Sequence, residues 1–182
     1  MAAAGGPRRD EGGSGMIDAN AAAICADLLY REGLYLDRQD WDSWLALYAE
    51  DAVFWIPAWL DEHRPTSDPD REVSLIYHPS RIGLEERIMR IRTRKSVTAL
   101  PLPRTVHMVT NILPAQMTED SIEVTASWTV HDFDPRVSKQ HMYFGRYEHT
   151  LRREANGAWR IVRKKVLLTN DMIPTALDFY SV

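Results

Sequence analysis

Residues 122–131 read Ile-Glu-Val-Thr-Ala-Ser-Trp-Thr-Val-His, so that Ile122, Val124, Ala126, Trp128 and Val130 alternate with Glu123, Thr125, Ser127, Thr129 and His131. A period of two places the apolar side chains on one face of an extended chain and the polar ones on the other. The stretch therefore predicts a strand with one face in a core. Working outward, residues 104–113, 139–152 and 158–169 also read as strands, separated by Glu119-Asp120, Asp134-Pro135 and Asn156-Gly157. Asn-Gly is a strong signal for a tight hairpin. In the last of these strands Trp159 and Ile161 share one face whereas Val162, Val166 and Leu168 share the other. Such a slip of phase calls for a bulge or for burial on both sides.

Upstream the period changes to that of a helix. From Met16 onward, Ile17, Ala21, Ile24, Cys25, Leu28, Leu29 and Tyr35 fall on one helical face, which also carries Glu32, while Asp27, Arg31 and Asp37 point elsewhere. Asp40 reads as the N-cap of a short second helix through Trp41, Trp44, Leu45 and Tyr48, ending near Glu50. Residues 52–56 are strand-prone up to Pro57, residues 61–72 form a charged loop with two prolines, and residues 73–77 form a second short strand. After Pro79-Ser80 a third helix carries Leu84, Ile88 and Ile91 as a narrow apolar stripe. Helices followed by an antiparallel meander predict an α+β domain in which a strongly bent sheet wraps the N-terminal helices.

The chain has 182 residues, 45% of them hydrophobic, and a formal charge of −4, which suits one globular domain. The first fifteen residues hold five of the nine glycines and no apolar core, so residues 1–15 are expected to be a disordered leader and residues 16–182 the single domain. No stretch reaches the roughly 20 apolar residues of a bilayer span. The acidic balance gives no general attraction for nucleic acid or anionic lipid. A cytoplasmic location without membrane or nucleic-acid partners is the expectation.

Chemistry is sparse. Cys25 is the one cysteine, and it lies on the apolar stripe of the first helix, where a thiol is structural rather than nucleophilic. The six histidines, His63, His78, His107, His131, His141 and His149, show no adjacent or one-turn pairing of the kind that marks a metal site. Phosphate loops and nucleophile elbows are missing from the four glycines beyond the leader. Residues 81–95 carry Arg81, Arg87, Arg90, Arg92, Arg94 and Lys95 against Glu85 and Glu86, without aromatic residues for base stacking, so that helix suits solvent or a subunit contact. Trp41, Trp44, Trp55 and Trp59 fall within twenty residues. Four such rings exceed what one small core is expected to hide, and Trp favours protein–protein contacts. A subunit interface including Arg87, Arg90, Arg94, Trp55 and Trp59 is the resulting expectation. The competing reading is a free-standing lyase or isomerase that uses Tyr30, Asp51 and His107 inside its own cone.

Several ordered motifs resemble one family. Asp40-Trp41-Asp42-Ser43-Trp44-Leu45, residues 49–59, Glu72-Val73-Ser74-Leu75-Ile76-Tyr77 and Arg81-Ile82-Gly83-Leu84-Glu85-Glu86-Arg87 look like the small (β) subunit of a Rieske-type aromatic-ring-hydroxylating dioxygenase. The likeness continues through Pro103-Arg104-Thr105-Val106-His107, Phe144-Gly145-Arg146-Tyr147, Lys164-Lys165-Val166 and residues 170–182, and is of the benzoate, anthranilate and halobenzoate type. The resemblance implies the cone of the nuclear-transport-factor-like and ketosteroid-isomerase-like superfamily, and a structural subunit of an oxidoreductase. It implies a large (α) subunit as partner, usually three α with three β, which holds the Rieske iron–sulfur cluster and the non-haem iron. Electrons would come from a nicotinamide cofactor through a reductase and, in some members, a ferredoxin. No catalytic, cofactor-binding or metal-binding residue is expected in this chain.

Overall fold

The computed structural model describes residues 18–93, 100–170, 173 and 177–182. Its elements run α1 (Ala19–Asp37), α2 (Trp41–Leu45), β1 (Tyr48–Pro57), β2 (Ser74–His78), α3 (Ile82–Arg92), β3 (Arg104–Met117), β4 (Ser121–Asp134), β5 (Lys139–Arg153) and β6 (Trp159–Leu168), and a turn of 3-10 helix at Phe179–Ser181. The six strands form one sheet in the order β2-β1-β6-β5-β4-β3. All neighbours are antiparallel except β1 and β6, which run parallel.

The expected cap at Asp40 is present, and the first helix, which begins at Ala19, is capped by Asp18. The Asp18 carboxylate accepts from the backbone N–H groups of Asn20 and Ala21, and that of Asp40 accepts from Ser43 N, each satisfying donors that a helix start leaves open. The second helix stops at Leu45 rather than near Glu50. Tyr48 keeps the helical spacing from Trp44, yet the chain turns there because Leu47 O accepts from Ile161 N at 2.8 Å, which starts β1 alongside β6. Pairing with a strand more than a hundred residues away overrides the local period.

The alternation in β4 is complete, with Ile122, Val124, Ala126, Trp128 and Val130 all buried. In β6 the slip of phase is a bulge: Thr150 of β5 faces Arg163 whereas Leu151 faces Ile161, so that Val162 is the extra residue. Ile161 precedes the bulge and points inward, and beyond it the inward set becomes Lys164, Val166 and Leu168. Gly157, at φ +83°, closes the hairpin between β5 and β6.

The sheet closes round α1. Asp37 at the end of that helix reaches β3, where its carboxylate accepts from His107 N and from Thr105 Oγ1, while Glu32 one turn earlier reaches Lys164 on β6. One helix touching strands β3 and β6 is possible only if the sheet bends about it. Gly33 permits the approach, since a Cβ there would lie 2.9 Å from the His107 Cβ. Residues 177–182 fill the open end of the cone. Phe179 stacks on Trp44 with centroids 4.7 Å apart and meets Trp41 edge-on at 5.5 Å, and Ser181 Oγ donates to buried Asp132 at 3.0 Å.

Candidate functional site

The interior of the cone holds four polar side chains from different elements. Register places His149 of β5 opposite Lys164 of β6, and Lys164 beside Phe54 of β1, on the inner face. Glu32 of α1 descends onto this row. Its Oε1 accepts from Lys164 Nζ at 2.9 Å and from the Tyr48 hydroxyl, and its Oε2 lies 3.3 Å from His149 Nε2. Lys164 is 1% exposed, and its ammonium sits 4.3 Å from the centroid of the Tyr147 ring. Tyr147 in turn stacks on Trp128 at 5.1 Å.

Burial alone would push the Glu32 carboxyl up, but the charge of Lys164, the hydrogen bond and charge of His149 and the Tyr48 hydroxyl outweigh it and hold Glu32 well below the usual carboxylate range. Burial pulls the His149 imidazole below its ordinary value, against the pull of Glu32. The set is an ion pair flanked by a neutral imidazole and a phenol, closed in by aromatic rings. A general acid and base are present in kind, but Glu32, Tyr48, Tyr147, His149 and Lys164 are all buried, which leaves a substrate no approach.

The trio Tyr30, Asp51 and His107 is not brought together. Tyr30 is 56% exposed on the outer side of α1. Asp51 lies at the surface, where its two carboxylate oxygens accept from Arg152 Nη1 and Nη2 at 2.8 and 2.9 Å, the cause of its lowered pKa. His107 lies under α1 with Nδ1 2.6 Å from Asp37 Oδ1, and its buried Nε2 has no partner among the described residues. Cys25 is buried, and burial pushes its thiol up to about 11. Among the described residues no group of three or more His, Cys, Asp or Glu side chains is placed to hold a metal ion.

The expected interface residues also separate. Trp41, Trp44 and Trp55 are internal whereas Trp59 is exposed, so the core hides three of the four rings, with Phe179 of the segment 177–182 and Ser74 of β2 supplying partners that the local sequence does not reveal. Trp55 is 3% exposed, donates from Nε1 to Ser74 Oγ at 2.8 Å and lies under Lys165, so it offers no surface of its own. Trp59 is 42% exposed, with its Nε1 donating to Leu168 O at 2.8 Å. Arg87 is turned to Asp178, and Arg90 stands exposed on α3. Arg94 lies outside the described residues.

The family of the ring hydroxylating beta subunit matches residues 31–175. The chain belongs to that family. This β subunit is 40% identical over 154 residues to the 2-halobenzoate 1,2-dioxygenase small subunit of Burkholderia cepacia, covering 85% of this chain and 92% of that one. It is 38% identical to the anthranilate 1,2-dioxygenase small subunit of Acinetobacter baylyi, covering 86% and 94%. The crystal structure of the benzoate 1,2-dioxygenase β subunit from Burkholderia mallei superposes with a TM-score of 0.73 at 34% identity, covering 92% and 99%. The bent-sheet cone is therefore the fold of this β subunit and of its relatives. Sequence reasoning missed the Glu32–Lys164 pair, although two signals pointed to it: a glutamate on the apolar stripe of α1, and the slip of phase in β6.

Proposed function

We propose that this chain is the non-catalytic β subunit of a multicomponent dioxygenase that acts on an aromatic acid of the benzoate, anthranilate or halobenzoate type. The observation that carries this reading is the match, across nearly the whole of both chains, to small subunits named for those substrates. The oxygenase inserts both atoms of dioxygen into the ring, with two electrons and two protons, to give a cis-dihydrodiol or, after loss of the ring substituents, a catechol. The donor set of this chain suits neither redox centre of that reaction. A Rieske cluster needs two thiolates and two imidazoles, whereas the chain has one cysteine, buried and with its thiol pKa raised. Both centres belong to a large α subunit.

The contribution of this chain is positional. A cone whose interior is filled and cross-braced from α1 to β6 is a rigid body, and three such bodies with three α subunits fix the spacing across which electrons pass. Electrons reach the assembly from a nicotinamide cofactor through a reductase and, in some systems, a ferredoxin. The complex resides in the cytoplasm. Arg90 and Trp59, both exposed, belong to the surface that meets α.

Co-expression with the gene of a large (α) oxygenase subunit tests the reading. Native mass spectrometry is expected to show three copies of each chain, in a preparation that absorbs as an iron–sulfur protein. A colourless chain that ignores the large subunit and turns over a small hydrophobic substrate alone would overturn it.

A further inference from the structure

Residues 177–182 close the mouth of the cone without joining its sheet. Among the described residues no backbone-to-backbone hydrogen bond ties them to the rest of the chain, and the bond they do make is internal, from Ser181 N to Asp178 O at 3.0 Å. Asp178 also accepts from Phe179 N at 2.9 Å through its carboxylate, so the segment caps its own turn of 3-10 helix. What holds it in place comes from four different elements. Phe179, 1% exposed, stacks on Trp44 and meets Trp41 edge-on, both of α2. Asp178 receives Arg87 of α3 on both carboxylate oxygens, the forked geometry that arginine forms best. Ser181 Oγ donates to Asp132 of β4 at 3.0 Å, and Lys164 Nζ of β6 donates to Val182 O at 3.5 Å.

A short segment with a preformed turn, one aromatic anchor in an aromatic seat and one forked ion pair has the make-up of a peptide ligand on its receptor. Its departure breaks no strand pairing, so opening the mouth costs only the contacts of the segment itself. We infer that the mouth of the cone is a recognition site for the sequence Asp178-Phe179-Tyr180-Ser181-Val182, filled here from the same chain, and that a second copy of this chain fills it by exchange, each copy's segment seated in the other. The eight residues 169–176, which join β6 to the segment, reach at most about 28 Å when extended, which suffices where two cones face each other mouth to mouth. Exchange keeps every contact of the seat, so high local concentration of copies is enough to favour it. The inference stands apart from the place of this chain in an oxygenase.

Native mass spectrometry of two variants of the full chain tests the exchange. Arg87→Asp and Asp178→Arg each set like charges against one another within a chain, whereas exchange between the two variants restores an opposite pair at both mouths. Their mixture is expected to give a dimer of one copy of each, at least about tenfold more abundant than the dimers of either variant alone. A mixture that stays monomeric, or that dimerises no more than the separate variants, overturns the exchange. A fluorescein-labelled peptide of residues 177–182 tests the seat without either variant. By fluorescence anisotropy it is expected to bind the Phe179→Ala chain about tenfold tighter than the unchanged chain, whose own segment competes for the site. The same peptide carrying Phe179→Ala is expected not to bind. No saturable binding to the Phe179→Ala chain, or equal binding by the altered peptide, overturns the recognition site.

Discussion

Lys164 is the residue on which the cone interior turns. A lysine with no exposed surface is tolerated because Glu32 meets its ammonium at 2.9 Å and the Tyr147 ring faces it. Replacing Glu32 by Gln removes the carboxylate nearest the ammonium and leaves it with Val182 O at 3.5 Å, and the expected loss is about 3–5 kcal/mol, read from urea unfolding at pH 7. The double variant Glu32→Gln with Lys164→Met is expected to lose much less than the sum of the single changes, since it removes both charges together. His149 adds a pH dependence. Its folded imidazole titrates below the unfolded value of 6.5, so the unfolded chain takes up the proton first. Its contribution is complete above pH 6.5 and is lost as pH falls below it, by about 1.4 kcal/mol for each unit of separation. Urea midpoints measured from pH 7.5 to pH 5 should therefore fall, and fall less in His149→Gln. Glu32, held low, adds a second loss below the ordinary carboxylate value of 4.5.

At the scale of elements, a bulge and an edge decide what the strands can do. The bulge at Val162 turns Lys164 inward and Lys165 outward, where Lys165 covers Trp55 with its ammonium 5.1 Å from the ring. Deleting Val162 would make Ile161 and Arg163 consecutive opposite Leu151 and Thr150, which removes the bulge and keeps Lys164 inside and Lys165 outside. The expected product still unfolds cooperatively by circular dichroism, and loss of cooperativity would show that the bulge itself is required. The edge is β3, which pairs with β4 on one side. The Asp37 carboxylate occupies His107 N and Thr105 Oγ1 on this strand, so part of the edge is already taken by a side chain. Asp37→Ala leaves those donors open, at an expected cost of about 1–3 kcal/mol, and favours strand-to-strand association visible by size-exclusion chromatography. Much of this level was legible beforehand. The alternation of 122–131, the cap Asp40 and the Asn156-Gly157 turn are local, and local chemistry dictates them. The end of α2, the burial of Trp55 and the Glu32–Lys164 contact are not local. Each depends on a partner strand or segment that sequence spacing does not reveal, and the slip in β6 announced a bulge without saying which lysine it would bury.

For the whole molecule, the question is which charges remain for a partner once the fold has used its own. The run 81–95 carries six basic residues, yet Arg81 donates to Tyr48 O and Glu85, Arg87 to Asp178, and Arg92 is paired with Asp42 at 2.8 Å. Arg90 stands exposed beside Met89, itself 61% exposed, on the outer face of α3. Charge at the rim of an interface acts chiefly on association rate and salt dependence, whereas an exposed aromatic contributes packing. The two residues therefore give separable readouts. Arg90→Glu is expected to slow assembly with the large subunit severalfold at low salt, with the difference shrinking as ionic strength rises. Trp59→Ala, whose indole is 42% exposed, is expected to raise the dissociation rate with little dependence on salt. Stopped-flow or surface-capture kinetics at about 50 and 500 mM salt, one to either side of the physiological screening range, separates the two effects. Unchanged kinetics in both variants would assign α3 and the residues after β1 to solvent. The Asp51→Asn variant provides the matching control, since Asp51 is engaged with Arg152 at the surface. It is expected to leave both assembly and turnover of the complete oxygenase as they were, and lost turnover with intact assembly would instead revive a catalytic carboxylate in this chain.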